Sequence, residues 1–232
     1  VKENNYLGKG IGLRASLSIS EQELKGEFSV NNPNFANTGR SLSFSAESTE
    51  IDRMTDSGYK TSIKGISLGT RYEQYENLFF SPSVSTYYET LETTDDATTS
   101  LQKQEGDYFD TSFSYALDYD LRDSSFRPTD GLRSKFIQTL PIVSDEYSII
   151  NGYEYSQYYE FENKAVTSFK FWSRAANSLT GDDVRVSQRV FVPSRRLRGF
   201  EKNKVGPVDG KDHIGGNYAA ALNFESNLPN LL

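Results

Sequence analysis

The run Ser112-Phe113-Ser114-Tyr115-Ala116-Leu117-Asp118-Tyr119 places a large apolar or aromatic side chain at every second position, with small or polar ones between. Successive side chains of an extended strand point to opposite faces, so this segment has one oily face and one wet face. A helix sorts residues at a longer period and would mix the two. The same alternation sets Leu13, Ala15, Leu17 and Ile19 against Arg14, Ser16, Ser18 and Ser20. It also sets Leu42, Phe44 and Ala46 against Ser41, Ser43 and Ser45, and Tyr218, Ala220, Leu222 and Phe224 against Ala219, Ala221, Asn223 and Glu225.

Turn formers punctuate these runs: Asn31-Asn32-Pro33, Asn37-Thr38-Gly39, Asp56-Ser57-Gly58, Asp123-Ser124-Ser125, Pro128-Thr129-Asp130-Gly131 and Gly181-Asp182-Asp183. Between them ten strands are expected, at 11–20, 24–32, 40–50, 59–72, 77–91, 108–122, 131–140, 147–161, 165–177 and 217–227, after an extended tail over 1–8. A soluble β-sandwich also alternates, but its strands average about five or six residues. Several here reach the roughly 9 to 11 that a tilted strand needs to cross a bilayer. The wet face is rich in serine and charged residues, as a hydrated lumen requires. Short and long connections alternate, which is the habit of an outer-membrane β-barrel. The fold class is therefore all-β, an antiparallel transmembrane barrel, with 1–232 in one barrel domain.

Composition supports this and removes other classes. Tyrosine and phenylalanine number 15 each against one tryptophan and one methionine, an excess suited to strands and interfacial girdles. The mean hydropathy of −0.62 and the lack of a long apolar run exclude a helical membrane protein. They leave a barrel open, because only alternate side chains meet lipid. A net charge of −7 gives no basic surface for nucleic acid. The absence of cysteine removes disulfides and thiolate metal sites and fits a Gram-negative envelope protein. The single histidine, His213, has no second ligand at usable spacing and reads as a solvated loop residue, so no metal is expected. Without a Gly-x-Ser-x-Gly elbow or a phosphate loop leading into a helix, the chain reads as a non-enzyme without cofactor. No signal peptide stands at Val1, which fits either a cytosolic protein or a longer parent whose start lies upstream, and the barrel pattern favours the second.

The connection over 178–216 far exceeds the about 12 to 15 residues of an idle loop. It carries Leu197-Arg198-Gly199-Phe200, an arginine between apolar residues and a glycine. Gly199 would give the tip a backbone conformation other residues avoid, and Phe200 would seat it on the wall. Arg195 and Arg196 read as solvated or lumen-facing charges. Alternation puts Glu225 on the wet face of the strand that follows.

Several segments together resemble the bacterial surface-antigen family of outer-membrane barrels, the BamA type. They are Asn4-Asn5-Tyr6-Leu7-Gly8-Lys9-Gly10; Asn32-Pro33-Asn34-Phe35; Asp123 with Phe126-Arg127-Pro128-Thr129-Asp130-Gly131; Leu197-Arg198-Gly199-Phe200, with Leu where the family has Val; and Val205-Gly206-Pro207 followed by Gly215-Gly216-Asn217. The resemblance implies that Asn32, Pro33, Phe35, Pro128, Gly131, Gly215 and Gly216 are structural turn residues. It implies a parent barrel of sixteen strands, of which this chain supplies the third to the twelfth, with the last strands and the periplasmic repeat domains outside it.

The same resemblance implies that the long loop folds into the lumen and that Arg198 pairs with Glu225. Its implied function is assembly: the complete barrel, in the bacterial outer membrane, would help unfolded outer-membrane proteins fold and insert, with outer-membrane lipids and accessory lipoproteins as further partners. A two-partner secretion transporter of the same family and a passive porin or receptor barrel are the alternatives.

Overall fold

The computed structural model describes residues 1–181 and 183–227. Asp182, read above as part of a turn, lies outside the described residues.

Eleven strands form one antiparallel sheet in sequence order. They are β1 (Lys2–Tyr6), β2 (Ile11–Ile19), β3 (Glu23–Asn32), β4 (Ser41–Arg53), β5 (Tyr59–Tyr75), β6 (Leu78–Thr93), β7 (Gly106–Asp120), β8 (Gly131–Ser144), β9 (Ser148–Glu160), β10 (Val166–Ser178) and, after the long loop, β13 (Tyr218–Asn227). Within that loop β11 (Val208–Asp209) and β12 (Asp212–His213) form a small separate hairpin. All ten expected strands are present. The expected tail contains an eleventh, because Lys2 and Glu3 pair with Arg14 and Leu13 of β2.

Register shows which face is which. Opposite Trp172 of β10 stand Glu154 of β9 and Ala221 of β13, and opposite Lys170 stand Ser156 and Asn223. This row faces the concave side and the long loop. The other row carries Phe169, Phe171, Leu222 and Phe224, and Phe224 is 75% exposed. Leu17, Ile19, Phe28, Phe44, Ile66, Leu68, Val84 and Leu117 are likewise exposed on the convex face. In water such a face would be a gross liability, whereas in lipid it is the surface a barrel wall needs. Tyr153–Phe171 and Tyr155–Phe169 are cross-strand aromatic pairs on that face.

Two prolines sit where a ladder tolerates them. Pro82 has no N–H to donate, and the β5–β6 pairing passes from Gly69↔Ser83 to Tyr72↔Phe80 without bridges at the two positions between. Pro141 lies at the β7–β8 register shift beside Thr111 and Ser112.

Among the described residues no hydrophobic core fills the centre. The two buried apolar clusters lie where connections meet the wall. One joins Tyr59, Leu91, Ala97, Leu101 and Val186, and the other joins Trp172, Ala176, Val184 and Val190. The hairpin was not expected from sequence, although Gly210-Lys211 between its strands has the glycine-first signature of a two-residue turn. It places the half-buried His213 in β12, so this residue is not a solvated loop histidine.

Candidate functional site

The long loop leaves β10 at the end of the wall that also carries the β6–β7 connection, and returns along the concave face. Its root, residues 183–190, is held by a buried arginine. Arg185 is 1% exposed. Its guanidinium meets Glu89 of β6 at 3.2 Å, forms an ion pair with Asp110 of β7 and stacks over the Tyr108 ring with its carbon 4.0 Å from the centroid. The Val186 N–H donates to Gln104 Oε1 at 2.8 Å. Arg189 donates to Asp183 at 2.6 Å and to the Val184 carbonyl at 2.9 Å. Val190 and Gly216 then exchange two backbone hydrogen bonds, 2.7 and 3.0 Å long, which close a neck around 191–215. Gly215 stands beside that neck with the Phe191 ring so near that a Cβ would lie 2.9 Å from it.

Beyond the neck the tip runs down the inner wall. Asn223 donates to the Arg196 carbonyl at 2.9 Å, and the half-buried Arg196 side chain lies 3.8 Å from Glu154. Arg196 is therefore a wall contact rather than a loose solvated charge. The structure brings Arg198 to Glu225, Nη2 to Oε1 at 3.2 Å. Two features make this pair different from a buried clamp. Arg198 is 80% exposed, and the other oxygen of Glu225 accepts from Lys170 at 2.6 Å. Gly199 has φ of +84°, in the left-handed region that Gly occupies without Cβ penalty. Leu197 is half-buried. Phe200 is 60% exposed, so among the described residues the wall does not cover it as expected. The tip meets β13 at Asn223 and at Glu225, two residues apart and so roughly 7 Å along the strand.

A second charged cluster lies on the concave face at the opposite end of the wall, beside the β7–β8 connection. Asp118 of β7 is 2% exposed. It accepts two hydrogen bonds from Arg133, at 2.7 and 2.8 Å, and two more from Arg71 at 3.3 Å. Arg122 makes a two-pronged bond to Asp120, 2.8 Å on each arm. Fork-to-carboxylate geometry fixes orientation as well as charge, and here it ties β5, β7 and β8 together.

Asp123 and Pro128 lie in the β7–β8 connection, and Gly131 opens β8. Asp123 accepts from the Thr129 hydroxyl at 2.8 Å and from the Thr129 and Asp130 N–H groups at 3.0 and 3.2 Å, with Pro128 within the loop so closed. These bonds hold its carboxyl below the usual aspartate range. Gly131 follows at φ +90°, and a Cβ there would sit 2.2 Å from the Leu121 carbonyl oxygen. In the β3–β4 turn Asn32 accepts from the Asn34 N–H at 3.1 Å. Pro33 follows it, and the Phe35 N–H reaches the Arg40 carbonyl at 2.8 Å.

Arg185 and the Asp118 cluster were missed by sequence reading. The alternation in Tyr87-x-Glu89-x-Leu91 and Asp110-x-Ser112 marks the carboxylates as inward. Arg185 carries no comparable mark, since Val184, Arg185 and Val186 are buried in succession.

The profile of the Omp85 superfamily domain matches residues 5–230. A curated relative, the SAM50-like protein SPAC17C9.06 of Schizosaccharomyces pombe (strain 972 / ATCC 24843), is 26% identical over 202 residues, covering 81% of this chain and 41% of the relative. The crystal structure of BamA from Haemophilus ducreyi lacking POTRA domains 1-3 superposes over 100% of this chain and 50% of that one, with TM-score 0.87 and 20% identity. The chain thus spans about half the length, or less, of the proteins it matches.

Proposed function

The chain belongs to the Omp85 superfamily, and from that membership we propose that it is wall and lumen loop of a barrel that folds and inserts other β-barrel proteins into the bacterial outer membrane. The observation that carries this reading is the long loop folded onto the concave face, with its Arg198-Gly199-Phe200 tip brought beside Glu225. A passive channel needs a constriction but no such tip. The reading is non-enzymatic in the bond-breaking sense. It has no cofactor, and the barrel works by positioning strands and lipid so that an incoming chain finds pairing partners. Unfolded outer-membrane proteins are the clients. Outer-membrane lipids contact the convex face, and accessory lipoproteins would bind regions of the parent protein beyond this barrel segment.

The test is depletion of the full-length protein in its host, with the folded fraction of several outer-membrane barrels followed by protease protection. The assembly reading predicts a general fall in folded barrels, reversed by the wild-type gene. Unchanged barrels with loss of one exported polypeptide would move the protein to the secretion branch. Unchanged barrels with loss only of solute uptake would mean a porin.

A further inference from the structure

We propose that Arg185 is the residue that positions the lumen loop, and that the Arg198 tip is a separate latch able to leave Glu225 while the loop root stays in place. This goes beyond the assembly reading and rests on the geometry of the loop alone. The two arginines differ in what their departure leaves behind. Withdrawal of Arg185 would strand the buried Glu89, one of whose oxygens already lacks a hydrogen-bond partner, and would leave the half-buried Asp110 with the Ser144 hydroxyl in place of a cation. Uncompensated buried charge is costly, so the root resists opening. Withdrawal of Arg198 strands nothing, because Glu225 keeps Lys170 at 2.6 Å and the exposed guanidinium regains water.

The backbone divides at the same place. On the root side stand the Val190–Gly216 bridge and the Asp183 carboxylate, which accepts from Arg189 at 2.6 Å and from Asn217 at 3.2 Å. A second grip holds the far side of the neck. There the β11–β12 hairpin is fastened to the β6–β7 connection through Thr98 to Asp209 at 2.8 Å and through the Lys211–Asp96 pair. Between these grips Arg198, Gly199, Phe200, Glu201 and Lys202 are exposed, and the neighbouring wall contact is Arg196, through its carbonyl to Asn223 at 2.9 Å and its side chain to Glu154 at 3.8 Å. A loop pinned at root and hairpin but lightly held at its tip can present the tip in two positions without losing its path through the lumen.

Trypsin reads this directly, since the tip carries Arg195, Arg196 and Arg198 and the root carries Arg189. The full-length protein in detergent micelles is digested briefly and the cut sites are assigned by mass spectrometry. Wild type is expected to be cut in the tip with Arg189 protected. Arg198→Ala should leave Arg189 equally protected. Arg185→Met should raise cutting after Arg189 by about tenfold or more, as the root opens locally. Arg185→Lys, which keeps the charge but not the fork, should fall between them. If Arg185→Met does not fold, the triple variant with Glu89→Gln and Asp110→Asn removes the stranded charges and should fold with Arg189 still exposed. Protection of Arg189 in the Arg185 variants, or its exposure by Arg198→Ala alone, would overturn the proposal.

Discussion

Arg198 and Arg185 show how little the presence of an ion pair says about its weight. An exposed pair in high dielectric contributes roughly 0 to 1 kcal/mol, whereas breaking a buried one costs roughly 3 to 5 kcal/mol. Denaturant unfolding of the full-length protein should therefore show Arg198→Ala within about 1 kcal/mol of wild type and Arg185→Met several times more damaged. Equal losses would mean that the tip is as deeply committed as the root. Asp123 gives a second residue-scale expectation. Its pKa is lowered first by the Thr129 hydroxyl and then by the Asp130 N–H. A depressed carboxylate contributes stability above the unfolded aspartate value of about 4, and loses it as the pH falls through the lowered value. Amide exchange at Thr129 and Asp130 should accelerate on acidification below about pH 4. In Asp123→Asn the same amides should show no step there.

At the scale of elements, the strands and their turns were legible because each depends on local chemistry. Alternation sets the face of a strand, and residues such as Asp123, Pro128 and Gly131 dictate a turn whatever lies around them. Gly131 is the strictest of these, combining positive φ with an approach no Cβ can make. Gly131→Ala should destabilise the β7–β8 hairpin by about 1 to 3 kcal/mol, measurable as a lower unfolding midpoint. An unchanged midpoint would show that the turn can relax. The loop was harder to read. Its root has no period, since Val184, Arg185 and Val186 are all buried, and its partners Glu89 and Asp110 are distant in sequence. Only the topology joins them. The tip was recognisable through its Arg-Gly-Phe signature, but a motif carries no burial, and the exposure of Phe200 and the sharing of Glu225 with Lys170 appear only in three dimensions.

For the whole molecule, the curved wall exchanges the usual order of inside and outside: hydroxyls and charges face the concavity, and Phe and Leu face out. That inversion makes a sharp comparison between neighbours. Phe113 lies on the convex face midway along β7, and Ser114 lies on the concave face, its hydroxyl 2.9 Å from that of Thr139. In a bilayer Phe113→Arg should cost about 2 to 4 kcal/mol, while Ser114→Arg, facing water, should cost far less. Comparable penalties would argue against lipid on the convex face. The central claim concerns what such a wall and loop accomplish together. Its most direct test is the rate at which an unfolded outer-membrane barrel protein acquires protease resistance in proteoliposomes containing the full-length protein. Acceleration over empty vesicles is predicted, and it should be lost in Arg185→Met despite equal incorporation. The same slow folding with and without the wild-type protein would contradict the assembly function.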